Sequence, residues 1–131
     1  MKNVYLDNAA TTSMRREVID EMIDVMNTEF GNPSSTHSIG RSARAIIENS
    51  RKIIAKILNV SSTEIIFTSS ATEATNWILK NAVENLGVKR IITSKIEHHA
   101  TLYTVYALQK KHPIKVDFVK VLPNGGLDYN H

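Results

Sequence analysis

At 131 residues the chain has the size of one ordinary domain, with no room for a second independent core of similar size. Hydrophobic residues make up 42% and charged residues 22%, with only 5 Gly and 3 Pro, which excludes disordered, collagen-like and low-complexity classes. Lys plus Arg number 16 against 13 Asp plus Glu, a dispersed excess of +3 rather than a basic block, and the lack of Cys excludes disulfides, thiolate metal sites and a cysteine nucleophile within these residues.

The opening Met1-Lys2-Asn3-Val4-Tyr5-Leu6-Asp7 has no apolar run of signal-peptide length, and no stretch approaches the ~20 apolar residues of a membrane span. A soluble cytoplasmic protein is expected. Residues 7–13 are small and polar and read as a loop. From Arg15 to Thr28 the apolar Val18, Ile19, Met22, Ile23, Val25 and Met26 recur at three and four, which predicts an amphipathic helix. Residues 30–38 carry breakers and hydroxyls, as an irregular loop does. A second helix follows, with Ala43, Ile46, Ile47, Ile54, Ile57 and Leu58 on one face and Asn59 as its stop.

Glu64-Ile65-Ile66-Phe67-Thr68 is short, apolar and β-branched and is predicted as a buried strand. Ser61 and Glu64 also fit a capping box, but a helix begun there would meet serines within two turns. Helical spacing resumes with Ala74, Trp77, Ile78, Ala82 and Leu86 and stops at Gly87. Residues 90–94 read as a second strand, Ala100, Tyr103, Tyr106, Ala107 and Lys110 as a further helix, and Ile114, Val116 and Phe118 as a third strand. Pro123-Asn124-Gly125-Gly126 is a turn. Helix and strand alternate, so the fold class is α/β, with helices packed on a partial, mostly parallel sheet. Three strands make a narrow sheet with a bare edge.

The stretch from Phe67 to Asn76 joins a strand's carboxyl end to a helix's amino end, where open α/β sheets bind ligands. Free N–H groups, the helix dipole and the hydroxyls of Ser69, Ser70 and Thr72 favour a phosphate there. A structural alternative is that Ser70 caps the helix while Glu73 reaches back in a capping box. Glu97-His98-His99 occupies the next strand-to-helix junction. Imidazole there can stack on a planar cofactor, move a proton or ligate a metal, although no His pair has helical ligand spacing. The bland alternative is an exposed pair with Glu97 in a helix's first turn. His37 has a weaker local case, and His112 and His131 read as surface or terminal residues.

Together these segments resemble the N-terminal part of pyridoxal-phosphate (PLP) dependent cysteine desulfurases, of the class-V aminotransferase group. Residues 5–12 (Tyr5-Leu6-Asp7-Asn8-Ala9-Ala10-Thr11-Thr12) look like the family's opening motif, and Gly31-Asn32-Pro33-Ser34-Ser35 with His37 and Gly40 like its second. Phe67-Thr68-Ser69-Ser70-Ala71-Thr72-Glu73 is similar to its phosphate-cradling turn, Thr93-Ser94-Lys95-Ile96-Glu97-His98 to its histidine segment, and Gly125 or Gly126 with Leu127-Asp128 to its next turn. The resemblance covers essentially the whole chain.

It implies a fold-type I PLP-dependent transferase, of which residues 1–40 would form the N-terminal arm, helix and active-site loops and residues 41–131 the start of the large PLP-binding domain. Ala71 and Thr72 would bind the PLP phosphate. His98 would lie on the ring face and take part in catalysis, with His99 beside it and Asn8, Ala9 and His37 as weaker candidates. The parent would convert L-cysteine to L-alanine, passing sulfur through an enzyme persulfide for iron–sulfur clusters or thiolated tRNA, as a homo-oligomer with a sulfur-acceptor or scaffold partner. No metal, membrane or direct nucleic-acid contact is implied for this segment. Two departures stand out: Ser70 replaces the family's usual Gly, which matters if that backbone needs a positive φ, and Ser13 replaces a Pro. The family's Schiff-base lysine, the Asp facing the pyridine nitrogen, the substrate arginine and the nucleophilic cysteine belong to later sequence, and Lys95 is no substitute. The chain alone is therefore expected to be inactive. The rivals are another class-V enzyme, such as a selenocysteine lyase or an aminotransferase, and a non-catalytic truncated product.

Overall fold

The computed structural model describes residues 3–130; Met1, Lys2 and His131 lie outside the described residues, and with them the reading of His131 as terminal surface. The chain gathers into two compact units, one ending at Ile66 and one beginning at Phe67.

In the first unit the apolar spacing yields α1 (Arg16–Thr28) and α2 (Ser38–Leu58). Helix α1 is amphipathic and carries an Arg16–Asp20 ion pair at 3.0 Å one turn apart, yet none of its residues is buried. Helix α2 starts where the His37 ring accepts the Gly40 amide, and it stops at Asn59. There the backbone turns left-handed (φ 55°, ψ 46°), and the Val60 N–H bonds back to the Ala55 carbonyl at 3.0 Å. The loop between the helices is ordered by polar contacts. The Asn32 side chain accepts the Ser34 amide at 2.9 Å, and the Glu29 carboxylate accepts the Ser42 hydroxyl at 2.8 Å.

The strand predicted over residues 64–68 is not formed. Ser61 and Glu64 instead close a capping box around a single 3₁₀ turn, Ser62–Glu64, with the Glu64 carboxylate accepting the Ser61 amide at 2.8 Å. Ile65 is extended (φ −95°, ψ 121°), but its carbonyl accepts the Arg51 guanidinium rather than a neighbouring strand. β-Branched apolar composition reports extension and burial potential; a strand also needs a ladder, and the sheet formed among the described residues pairs Arg90–Ser94 with Lys115–Val119.

The second unit runs α3 (Ala71–Glu84), β1 (Arg90–Ser94), α4 (His99–Lys111) and β2 (Lys115–Val119). The strands are parallel, with Ile91 opposite Val116 and Thr93 opposite Phe118, and α4 forms the crossover that a parallel pair requires. The core gathers Val83 of α3, Leu108 of α4 and Ile114, with Leu79, Ile91 and Val116 packed against them. Alternation along β1 sends Ile91 to that core and leaves Ile92 exposed. After β2 the chain turns through Pro123 and Asn124, and Val121 bridges antiparallel to Leu127. The α/β architecture with a parallel sheet is thus present, with two paired strands in place of the three expected.

None of Ile65, Ile66, Ile91, Ile92, Val116 and Phe118 reaches full burial, and Ile66 and Ile92 are 60% and 65% exposed. Each strand of the pair also keeps one unpaired edge among the described residues. Apolar surface beside open edges favours self-association. Light scattering on the 131-residue chain should therefore show dimers or larger species, and a monomer persisting at high concentration would contradict this.

Candidate functional site

The second unit places two helix starts, those of α3 and α4, beside one cleft. At α3, Ser70 is the N-cap and its hydroxyl accepts the Glu73 amide at 3.2 Å. The Glu73 carboxylate turns back to Ser69, accepting its amide at 2.6 Å and its hydroxyl at 2.8 Å. This is a capping box displaced by one residue, since Glu73 meets Ser69 and not the cap's own amide. The cap uses only the Glu73 amide. The Ala71 and Thr72 amides, at the first two positions of the helix, have no intrahelical acceptor and point out of the N-terminus. The cap and an anion site are therefore compatible uses of the same turn. Ser70 itself lies at φ −166°, ψ 162°, an extended backbone open to any residue, so its replacement of the family's glycine costs no conformational strain.

The Ser69 amide, and after it the Ser69 hydroxyl, hold the Glu73 carboxyl below its ordinary pKa against a smaller opposing effect of desolvation. A depressed pKa contributes stability above the unfolded carboxylate's pKa, and that contribution disappears as pH falls through the folded value. The Glu73 carboxyl followed by NMR should therefore titrate below a free Glu. Ser69→Ala should move the midpoint only part of the way back, because the backbone amide, the larger cause, stays. An unmoved midpoint would remove the hydroxyl from this account.

At α4 the cap is His98, whose Nδ1 accepts the Ala100 amide at 3.1 Å. With Nδ1 engaged as an acceptor, the neutral ring carries its proton on Nε2. Sequence reasoning offered Glu97 as a first-turn residue; it lies before the helix and accepts the buried Ser94 hydroxyl at 3.3 Å. The His99 ring stacks on Tyr103, with centroids 5.2 Å apart and planes 7° from parallel.

Thr72, Asn76, His98, His99, Tyr103 and Thr104 line a cleft of about 370 Å³ together with Ala100. The structure thus brings Thr72 and His98, 26 positions apart in sequence, to one cavity, with Ala71 at the same helix start. Two further residues of the cleft had no role in the sequence reading. Asn76 sits one turn after Thr72, and Thr104 occupies the buried stripe of α4 between Ala100 and Leu108. A hydroxyl at an apolar helical position was the available signal. Asn8, Ala9 and His37 belong to the first unit: Asn8 and Ala9 are exposed in a turn, and His37 caps α2. Lys95 is exposed, with its ammonium 6.0 Å from the Phe118 ring centroid. His112 is half-buried, 3.4 Å from the Glu84 carboxylate.

The cysteine desulfurase IscS of Dictyoglomus turgidum is 48% identical over 111 residues, covering 83% of this chain and 28% of that protein. The selenocysteine lyase of Xenopus laevis is 36% identical over 132 aligned positions, covering 90% of this chain and 31% of that protein. A solved structure, a NifS-like protein, superposes with a TM-score of 0.81 at 44% identity, covering 87% of this chain and 32% of that one. The chain thus spans less than a third of the length of these relatives. Class-V aminotransferases and cysteine desulfurases are PLP-dependent enzymes. The Aminotransferase class-V profile matches residues 4–131, which takes in every helix and strand of both units, and the chain belongs to that family.

Proposed function

We propose that this chain is the PLP-holding N-terminal part of a cysteine desulfurase, with residues 1–40 as arm, helix and loops and residues 41–131 as the start of the large cofactor domain. The observation that carries the reading is the meeting of Thr72 and His98 in one cleft at the amino ends of α3 and α4. The residues fit the cofactor. The unclaimed Ala71 and Thr72 amides and the Thr72 hydroxyl suit a phosphate dianion at a positive helix end, and an exposed imidazole suits a pyridine face. When bound, PLP acts as an electron sink for cleavage of a C–S bond.

This chain's own residues do three things in that scheme. Ala71 and Thr72 hold the phosphate. His98 orients the ring and, through Nε2, holds or moves a proton near it, because its Nδ1 is committed to the Ala100 amide. The Ser70 and Glu73 contacts keep the first turn of α3 in place. In the whole protein the substrate would be L-cysteine and the products L-alanine and an enzyme persulfide, delivered to an acceptor or scaffold protein by a homodimer. Formation of a persulfide requires a cysteine thiol, and the chain has none, so by itself it supplies binding and not sulfur transfer.

Titration with inorganic phosphate and with PLP tests the reading. Thr72→Val should weaken both by about 1–2 kcal/mol, the scale of one hydrogen bond to a charged group. His98→Ala should weaken PLP and leave phosphate unchanged, since only the ring meets the imidazole. Identical responses of both ligands to both substitutions would favour a purely structural role for the two helix starts. The match to a selenocysteine lyase supports a second reading of the same site. Alanine formation from L-cysteine against L-selenocysteine, in a protein carrying this segment at the family's full length, separates the two.

A further inference from the structure

Thr72 and His98 stand on different helices, so a ligand that spans them depends on how firmly α3 and α4 are held together at the cleft. At the cleft a polar connection joins them. The Thr104 hydroxyl donates to the Asn76 Oδ1 at 2.7 Å, and the Asn76 Nδ2 donates to the Thr72 carbonyl at 2.9 Å. The orientation of the Asn76 amide is fixed by chemistry: a carbonyl only accepts, so Nδ2 faces Thr72 and Oδ1 is left for the hydroxyl. Thr104 is 5% exposed, so its hydroxyl is shielded from water. Both residues line the cleft that holds Thr72 and His98.

We propose that Asn76 and Thr104 are positioning residues, a hydrogen-bonded bridge that sets the separation between Thr72 and His98 and so matches the cleft to a ligand engaging both. The inference rests on the reading of the cleft as a PLP site. Inorganic phosphate needs only the α3 start, whereas PLP needs both helix starts at a set distance, and errors in such placement are costly. The bridge should therefore matter to PLP and not to phosphate.

The test uses the 131-residue chain and Thr104→Val, which keeps the shape and removes the donor, with Thr104→Ser to restore it. PLP affinity should fall about tenfold in the valine variant and recover in the serine variant, while phosphate affinity stays within about twofold. Equal losses for both ligands, no loss for PLP, or failure of serine to rescue would each overturn the proposal. If Thr104→Val does not fold, Asn76→Ala, at a half-buried position, serves in its place and should give the same selective loss. A ligand-free readout separates failure of the bridge from failure of the site: NMR shifts of the Thr72 amide and the His98 imidazole should move in the valine variant and return in the serine variant. If the unmodified chain binds neither phosphate nor PLP, the reading of the site falls. The shifts then decide the bridge, and unmoved shifts would overturn it.

Discussion

Leu108→Ala should cost about 2–5 kcal/mol, the range for truncating a buried leucine, and leave the second unit largely unfolded. Leu108 is 2% exposed and is the α4 member of the cluster with Val83 and Ile114, against which Leu79, Ile91 and Val116 pack. These six residues come from both helices and both strands or their approaches, so one side chain joins every layer of the unit. A unit of this size has little reserve. A small domain buries a modest share of its surface, and net stabilities are only about 5–15 kcal/mol even for ordinary domains. Ile92→Ala is the control, because that side chain is exposed on the far side of the same strand pair and should change stability by under about 1 kcal/mol. Urea unfolding followed by circular dichroism reads both variants. A loss below about 1 kcal/mol for Leu108→Ala would place the core of the unit elsewhere.

What was legible in the sequence was whatever depended on near neighbours. The apolar spacing of α2 and its end at Asn59, the five residues of β1, and the stop of α3 before Gly87 are all set within a few positions. Gly87 has the positive φ of 70° that its place after the helix implied. The misreading at residues 64–68 has the same origin. Ile65, Ile66 and Phe67 look like strand residues from their own chemistry, but pairing is a property of two segments, and the local capping box of Ser61 and Glu64 claimed part of the stretch. Around the site, the caps at Ser70 and His98 are local, and the sequence raised the first of them directly. The Asn76–Thr104 bond joins residues 28 apart on separate helices, and no periodicity marks it. The distance between two helix starts is a packing result that local spacing does not carry; the expectation that Thr72 and His98 serve one ligand came from the family resemblance, and the structure lines one cleft with both.

Gly40→Ala should destabilise the first unit by about 1–3 kcal/mol, the range for forcing atoms into a packed site, although alanine ordinarily improves a helix by about 0.5–1 kcal/mol over glycine. The opposite sign follows from what surrounds Gly40. It is buried in the first turn of α2, where an added Cβ would lie 2.6 Å from the Asn32 carbonyl oxygen and 2.6 Å from the Ser35 Cβ. The Ser35 carbonyl oxygen would be 2.7 Å away. Two of these three atoms are backbone, held by the turn in which the Asn32 carbonyl accepts the Ser35 amide at 2.9 Å, so no side-chain rotation relieves the contact. The loop would have to move, and with it the His37 ring that accepts the Gly40 amide. Gly87→Ala provides the contrast. Nothing lies within 4 Å of its added Cβ, so only the left-handed backbone resists the change, at about 1 kcal/mol. Thermal unfolding should therefore rank Gly40→Ala below Gly87→Ala, with loss of the His37 cap visible as faster hydrogen exchange at the Gly40 position. A Gly40→Ala variant as stable as the parent would mean that the loop over residues 32–35 yields without cost, and that its close approach to α2 is not what seats the helix start.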